Sequence, residues 1–225
     1  MSEWWTYSLT SLLLFSPRTY YRLFELTNAE VWPAQVVTLV GGLTILGLIW
    51  HPLPWSGRAV AAIIASVWLF VAWAYLLQRY DAINWAARYF AVGFALQSAL
   101  LAWTGIVRNR LRFDLNGAPG KIGCAMAIYA LALHPLIAPL TGRPWIQGEF
   151  FGLAPDPTTV ATLGVLLAAG RPHWHLLAIP LIWCIISGLT LWTMESPEAW
   201  LGPTLAALAA LLTLWKARTH QGKTQ

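Results

Sequence analysis

The chain is 225 residues long, 58% hydrophobic and only 10% charged, with a formal net charge of +5 and 15 tryptophans. A soluble domain carries about 25% charged residues, so this chain has too little polar surface to be a soluble globular protein and too much apolar content to be disordered. It holds no run of five or six basic residues, so no nucleic-acid partner is expected. An indole has an apolar body and one N–H donor and settles where hydrocarbon meets water, which makes the lipid bilayer the expected partner.

Residues 1–30 read as an N-terminal interfacial segment. Their apolar stretch, Leu12 to Phe15, has no basic lead and is too short for a secretory signal. Between Ser8 and Glu25, leucines and aromatics mix with Arg18 and Arg22, and Ser16-Pro17 marks a helix start, the pattern of an amphipathic helix lying in the interface. A single transmembrane bundle is expected over residues 31–215, followed by a basic tail over 216–225.

The first span runs from Val31 to Trp50 without a charge, with Pro33 in its first turn. A second follows from Ala59 to Leu77, and the polar break Gln78 to Asn84 leads to a third, Tyr89 to Val107, with Gln97 near its middle. The fourth, Ile122 to Leu140, contains His134-Pro135 and Pro139, which predict a kink or break. After a long connection, Pro155-Asp156-Pro157-Thr158-Thr159 signals a helix start with Asp156 as N-cap. The apolar run that follows ends at Ala169 and covers about 20 Å at 1.5 Å per residue, short of the ≈ 30 Å hydrocarbon core. It is either a short span that borrows part of the preceding loop or a half-helix buried among the others. Trp174 to Met194 and Ala199 to Trp215 complete an all-α, polytopic bundle of six to seven spans. With seven spans, nine of the 14 basic residues fall on the side of the C-tail, which places the C-terminus in the cytoplasm.

Chemistry-bearing residues are sparse. None of the nine acids sits at the centre of a predicted span, which disfavours a buried carboxylate relay. Asp81 lies between Arg79 and Arg88, where it reads either as an interfacial ion pair or, with Asn84, as a polar entrance. His173 and His175 fall in a loop and read as interface anchors. His134 lies in an apolar helix beside a proline, so it either bonds a freed carbonyl at the kink or serves a site. Trp68, Trp73 and Trp183 lie inside spans, where lipid offers the indole N–H no partner, so they should face the bundle interior. By contrast Trp32, Trp50, Trp174, Trp192, Trp200 and Trp215 fall near span ends, as an aromatic belt requires. Two cysteines in separate apolar segments, three methionines and no dense histidine cluster give no reason to expect a metal or other cofactor. No nucleophile–base arrangement or phosphate loop is present, so an enzyme is the least favoured class.

Several phrases resemble domain of unknown function 6064, an uncharacterised bacterial multi-pass membrane family: Leu14-Phe15-Ser16-Pro17-Arg18-Thr19-Tyr20, Val31-Trp32-Pro33-Ala34-Gln35, Ala82-Ile83-Asn84, His134-Pro135 and Phe151 to Thr159. The chain departs from that pattern at Trp85, where a proline is usual, and at Asp156, where a cysteine is frequent, which removes any thiol-based role. The resemblance implies a bacterial inner-membrane protein and supplies no activity. The expected function is binding or passing a small molecule or ion through a polar cavity lined by Gln35, Asn84, Gln97, His134 and Asp156 with Thr158 and Thr159. The alternative is a structural or accessory subunit that meets a membrane protein partner through a small-residue face such as Ala206 and Ala210.

Overall fold

The computed structural model describes residues 15–221, so the beginning of the interfacial segment and the last four residues of the tail lie outside the described residues. Ser16 Oγ accepts the backbone N–H of Thr19 at 3.2 Å and Pro17 occupies the first turn, which together start α1 (Pro17–Glu30). One face of α1 buries Tyr20, Tyr21, Leu23 and Phe24 while Arg18 and Arg22 stay exposed. The helix meets α2 (Ala34–Trp50) at 92°. It therefore lies across one end of the bundle, with Phe24 stacked on Tyr75 at 4.9 Å between ring centres.

Three long helices follow, each loosening from α into wider π-type turns near its end: α3 (Ser56–Phe70) runs on to Leu77, α4 (Ala87–Leu101) to Val107, and α5 (Ala118–Ile128) to Leu133. The expected break at His134-Pro135 is present. Pro135 has no N–H to donate, and the chain tightens into a 3-10 turn over His134–Leu136 before the single turn α6 (Ile137–Leu140). Then come α7 (Pro155–Ala168), α8 (Trp174–Thr193) and α9 (Leu201–Gln221).

Among the described residues, five helices are long and apolar enough to cross a membrane, or six if the bent α1–α2 pair is one span. The six tryptophans expected in an aromatic belt are all exposed, and Val36, Val37, Leu39, Val40 and Leu43 form an exposed apolar face on α2. Such a surface suits lipid and not water.

The two ends of the bundle are fixed by contacts between loops. At one end Gly170 N donates to Arg112 O at 2.6 Å, Asp114 N donates to Ala168 O at 3.0 Å, and Arg112 reaches Pro54 O at 3.3 Å. At the other, Tyr21 meets Ser196 at 2.7 Å and Asn28 Nδ2 donates to Gly148 O at 2.9 Å. The first end carries the basic loops. α7 is preceded by a non-helical segment, and its last turn reaches the first of these ends, where Ala168 O accepts Asp114 N.

α7 is buried along its whole length apart from half-buried Asp156, which is why its apolar residues show no helical stripe. It runs backbone against backbone along α5: a Cβ placed on Gly164 would collide with Gly123 O, and one on Gly123 with Gly164 O. Its far end is held by Lys216 of α9, whose ammonium donates to Leu167 O at 3.2 Å and to Ala169 O.

Two expectations are corrected by the packing. Trp73 is 57% exposed, because it lies on a side of the α3 segment that the bundle leaves uncovered. Ala206 is buried within the chain and not part of a free small-residue face. Because the α5–α7 crossing leaves no room for a methyl group, Gly164→Ala should lower stability by about 1–3 kcal/mol, the usual cost of overpacking. Gly47 is the control, since a Cβ added there would meet nothing within 4 Å; Gly47→Ala should leave the thermal unfolding transition in detergent unchanged while Gly164→Ala shifts it down.

Candidate functional site

The N-terminus of α7 is capped differently from the expected pattern. Ala154 takes the cap position and makes no side-chain cap bond. Thr158 does the local work: its hydroxyl accepts from Gly152 N at 2.8 Å and donates to Ala154 O at 2.7 Å. Asp156 is thereby free to face α8, where Oδ1 accepts the indole N–H of Trp183 at 2.7 Å and Oδ2 accepts the Ser187 hydroxyl at 2.5 Å. Trp183 and Ser187 are four residues apart, so one face of α8 presents both donors.

Around Asp156 the fold gathers charged groups that are far apart in sequence. His134 stands at the broken end of α5, and its Nε2 lies 3.8 Å from Glu149 Oε2. Glu149 comes from the non-helical segment ahead of α7, and Glu198 from the short turn Pro197–Trp200 that leads into α9. Glu198 Oε1 accepts from Arg143 Nη2 at 2.6 Å and from the Tyr21 hydroxyl at 2.9 Å. Arg143 in turn lies over the Tyr21 ring at 3.7 Å, a cation–π contact that ties α1 to this end.

A small cavity lies between these groups, lined by Tyr129, His134, Glu149, Asp156, Ser187 and Glu198. It gives the centre of a water molecule about 20 Å³ of room, enough for roughly one or two waters. Glu149 Oε2, Glu198 Oε2, His134 Nδ1 and the Tyr129 hydroxyl are buried without a hydrogen-bond partner. Three carboxylates thus share a site with one guanidinium and one imidazole. Burying a charge costs several kcal/mol unless it is paired, so such a site is suited to take up positive charge.

Of the residues expected to share a cavity, His134 and Asp156 do, with Trp183 holding the latter. The others are placed elsewhere. Gln35 donates to Asn28 O at 2.7 Å in the first turn of α2 and borders a lateral apolar groove with Trp145 and Phe150. Asp81 pairs with Arg88 at 2.8 Å, and Asn84 accepts Ala86 N at 3.0 Å to start α4. Gln97 ties α4 to α8 through Leu176 O at 2.9 Å. Trp68 donates to Thr162 at 2.8 Å in the core; Thr158 shapes the loop, and the Thr159 hydroxyl is buried without a partner. The amide nitrogens of Gln35 and Gln97 reach nearby carbonyls without a common cavity, while the amide oxygen of each is buried without a partner.

Glu149, Glu198, Arg143 and Tyr129 are missing from the expected set. The first three lie in connections, which hydropathy alone assigns to solvent. The available signal was local: Glu149 stands in Gly148-Glu149-Phe150-Phe151-Gly152, an apolar setting for an acid, and Glu198 follows Pro197 at a helix start. At the basic end, His175 Nε2 and Thr104 Oγ1 are 2.9 Å apart. Burial, followed by the neighbouring His175, holds His173 below the ordinary imidazole range.

A family model described as "Family of unknown function (DUF6064)" matches residues 18–224. No curated protein and no solved structure matches the chain.

The buried Arg143–Glu198 pair generates a test of the site's electrostatics. Removing one partner leaves the other charge buried, so Arg143→Met should destabilise the protein by about 3 kcal/mol or more. Adding Glu198→Gln should recover most of that loss in thermal unfolding of the double variant.

Proposed function

Since the chain belongs to the DUF6064 family of unknown function, its activity has to be read from its own residues, and we propose that it is a bacterial inner-membrane protein that binds or passes a small cation through the cavity between α5, α7 and α8. The observation that carries this reading is the set of three carboxylates around one cavity, with one oxygen each of Glu149 and Glu198 buried and unpartnered. Their combined charge exceeds what Arg143 balances, and a cation is the complement such a cluster calls for. Room for one or two waters sets the size of the occupant; drug-sized ligands need cavities of roughly 300 Å³ or more.

The excess of Lys and Arg at the end holding Arg112, Arg171 and Arg218 supports a cytoplasmic basic end with the C-terminus on that side. The acidic cavity then lies towards the outer face, roofed by α1 and the Arg143–Glu198 pair. Arg143 supplies the positive charge that a site of this kind needs while no substrate cation is bound.

Purified protein reconstituted in liposomes under an imposed membrane potential should raise the permeability to protons or alkali cations above that of protein-free vesicles. Asp156→Asn should reduce that effect by about tenfold or more, each tenfold corresponding to about 1.4 kcal/mol of barrier. Vesicles that gain no cation permeability, together with a stoichiometric membrane partner in mild detergent, would instead establish the accessory-subunit alternative.

A further inference from the structure

The identity of the cation follows from counting the groups left free in the cavity, an inference that rests on the cation reading above and narrows it. Glu149 is 7% exposed, His134 and Glu198 8% each. Both oxygens of Asp156 are committed to the Trp183 and Ser187 donors, which leaves the Glu149 carboxylate, Glu198 Oε2 and the Tyr129 hydroxyl as the side-chain oxygens free to face the space. Hard cations such as Ca²⁺ and Mg²⁺ take about six or more oxygen ligands, and a space for one or two waters cannot complete that number. Among the described residues no three His, Cys, Asp or Glu side chains are grouped to hold a metal ion. A proton makes no such demand. It needs one acceptor, and a second within hydrogen-bond reach or one water away.

We propose that the cation is the proton, that Glu149 is the residue that takes it up, and that His134 is the partner with which Glu149 exchanges it. Uptake breaks an O–H bond of a hydronium ion arriving from the α1 end, forms the O–H bond of the Glu149 carboxyl and releases water. Exchange breaks that O–H bond and forms an N–H bond on His134 Nε2, leaving a carboxylate beside an imidazolium, so charge is conserved at each step. The 3.8 Å separation is longer than a hydrogen bond; a small side-chain rotation or one intervening water closes it.

The charged neighbours of Glu149 are Asp156 on α7, Glu198 ahead of α9, and Arg143, which is engaged with Glu198. Tyr129 on α5 lines the cavity with it, and the phenols of Tyr20 and Tyr21 on α1 and of Tyr75 near the end of α3 lie within electrostatic range. Cys184 lines the same cavity from α8. Phenols and thiols are neutral at neutral pH; Glu149 and His134 are singled out because the free Glu149 Oε2 stands 3.8 Å from His134 Nε2, whereas Glu198 is engaged through its other oxygen with Arg143 and Tyr21.

Two readouts on the full chain in lipid test this. Infrared difference spectra between neutral and acidic buffer should show the carbonyl band of a protonated carboxyl, lost in Glu149→Gln and kept in Asp156→Asn. In liposomes with a trapped pH dye, proton influx should fall about tenfold or more in both Glu149→Gln and His134→Gln, and stay unchanged in Asp81→Asn, which is outside the cavity. Glu149→Asp keeps the acid and guards against a folding defect; it should retain a shifted band and pass fewer protons. A band that survives unaltered in folded Glu149→Gln, or a flux carried by Na⁺ or K⁺ without acidification, would overturn the proton assignment and leave the cation reading intact. Absence of both carboxyl titration and any cation flux in the unaltered protein overturns the two together.

Discussion

Backbone that is not helical has nowhere to place its N–H and C=O groups inside a bilayer unless protein supplies partners, and this chain takes such a stretch, residues 148–154, into its bundle. The partners come from the segment's own turns, in which Gly148 N donates to Trp145 O and both Leu153 N and Ala154 N donate to Phe150 O, and from two side chains. Asn28 of α1 donates to Ile146 O at 2.7 Å and to Gly148 O at 2.9 Å, and the Thr158 hydroxyl closes the other side by bridging Gly152 N and Ala154 O. Gly152 has φ +78°, where a side chain is disfavoured, and a Cβ there would also press on Thr38. The segment can therefore turn inward and deliver both Glu149 and the start of α7 to the interior.

The rest of the architecture serves that insertion. α7 acts as a central post: Trp68 of α3 donates to Thr162, Trp183 of α8 to Asp156, and α5 lies against it through Gly123. Opposite charges stand at its two ends, the Asp156 carboxylate beside the N-terminus and the Lys216 ammonium on the last carbonyls, each on the side that the helix dipole favours. The acids around the cavity arrive from connections because a connection folded into the bundle can offer a side chain at a depth that no regular span reaches with the same economy of apolar contacts.

Much of this was legible from residue order. Twenty uncharged residues from Val31 to Trp50 and the Trp-marked ends of later segments reflect the bilayer itself, which acts on each segment alone, so α2 to α5, α8 and α9 lie close to their expected ranges. The break at His134-Pro135 was visible because a missing N–H is a property of one residue. The site was less visible because it depends on which residues a loop brings back. Glu149 and Glu198 look like ordinary loop acids until residues 148–154 turn inward. Asp156 has the spacing of a cap, yet its oxygens face α8, a choice made by Trp183 and Ser187 some thirty positions away. Trp73 points outward because the bundle leaves that side of α3 uncovered, a matter of helix arrangement that periodicity along one helix does not encode.

The shortness of α7 has an electrical consequence. Its 14 residues extend about 21 Å at 1.5 Å per residue, roughly two-thirds of a ≈ 30 Å hydrocarbon core. With the bundle upright in the bilayer, the dry stretch from Asp156 to the basic end is where most of the transmembrane voltage must fall, and a charge entering from the α1 end meets only about one-third of it. For the cation proposed to enter the cavity, at about 2.3 kcal/mol per elementary charge per 100 mV for a full crossing, occupancy from that side would respond weakly to membrane potential, whereas passage on to the other face would respond strongly.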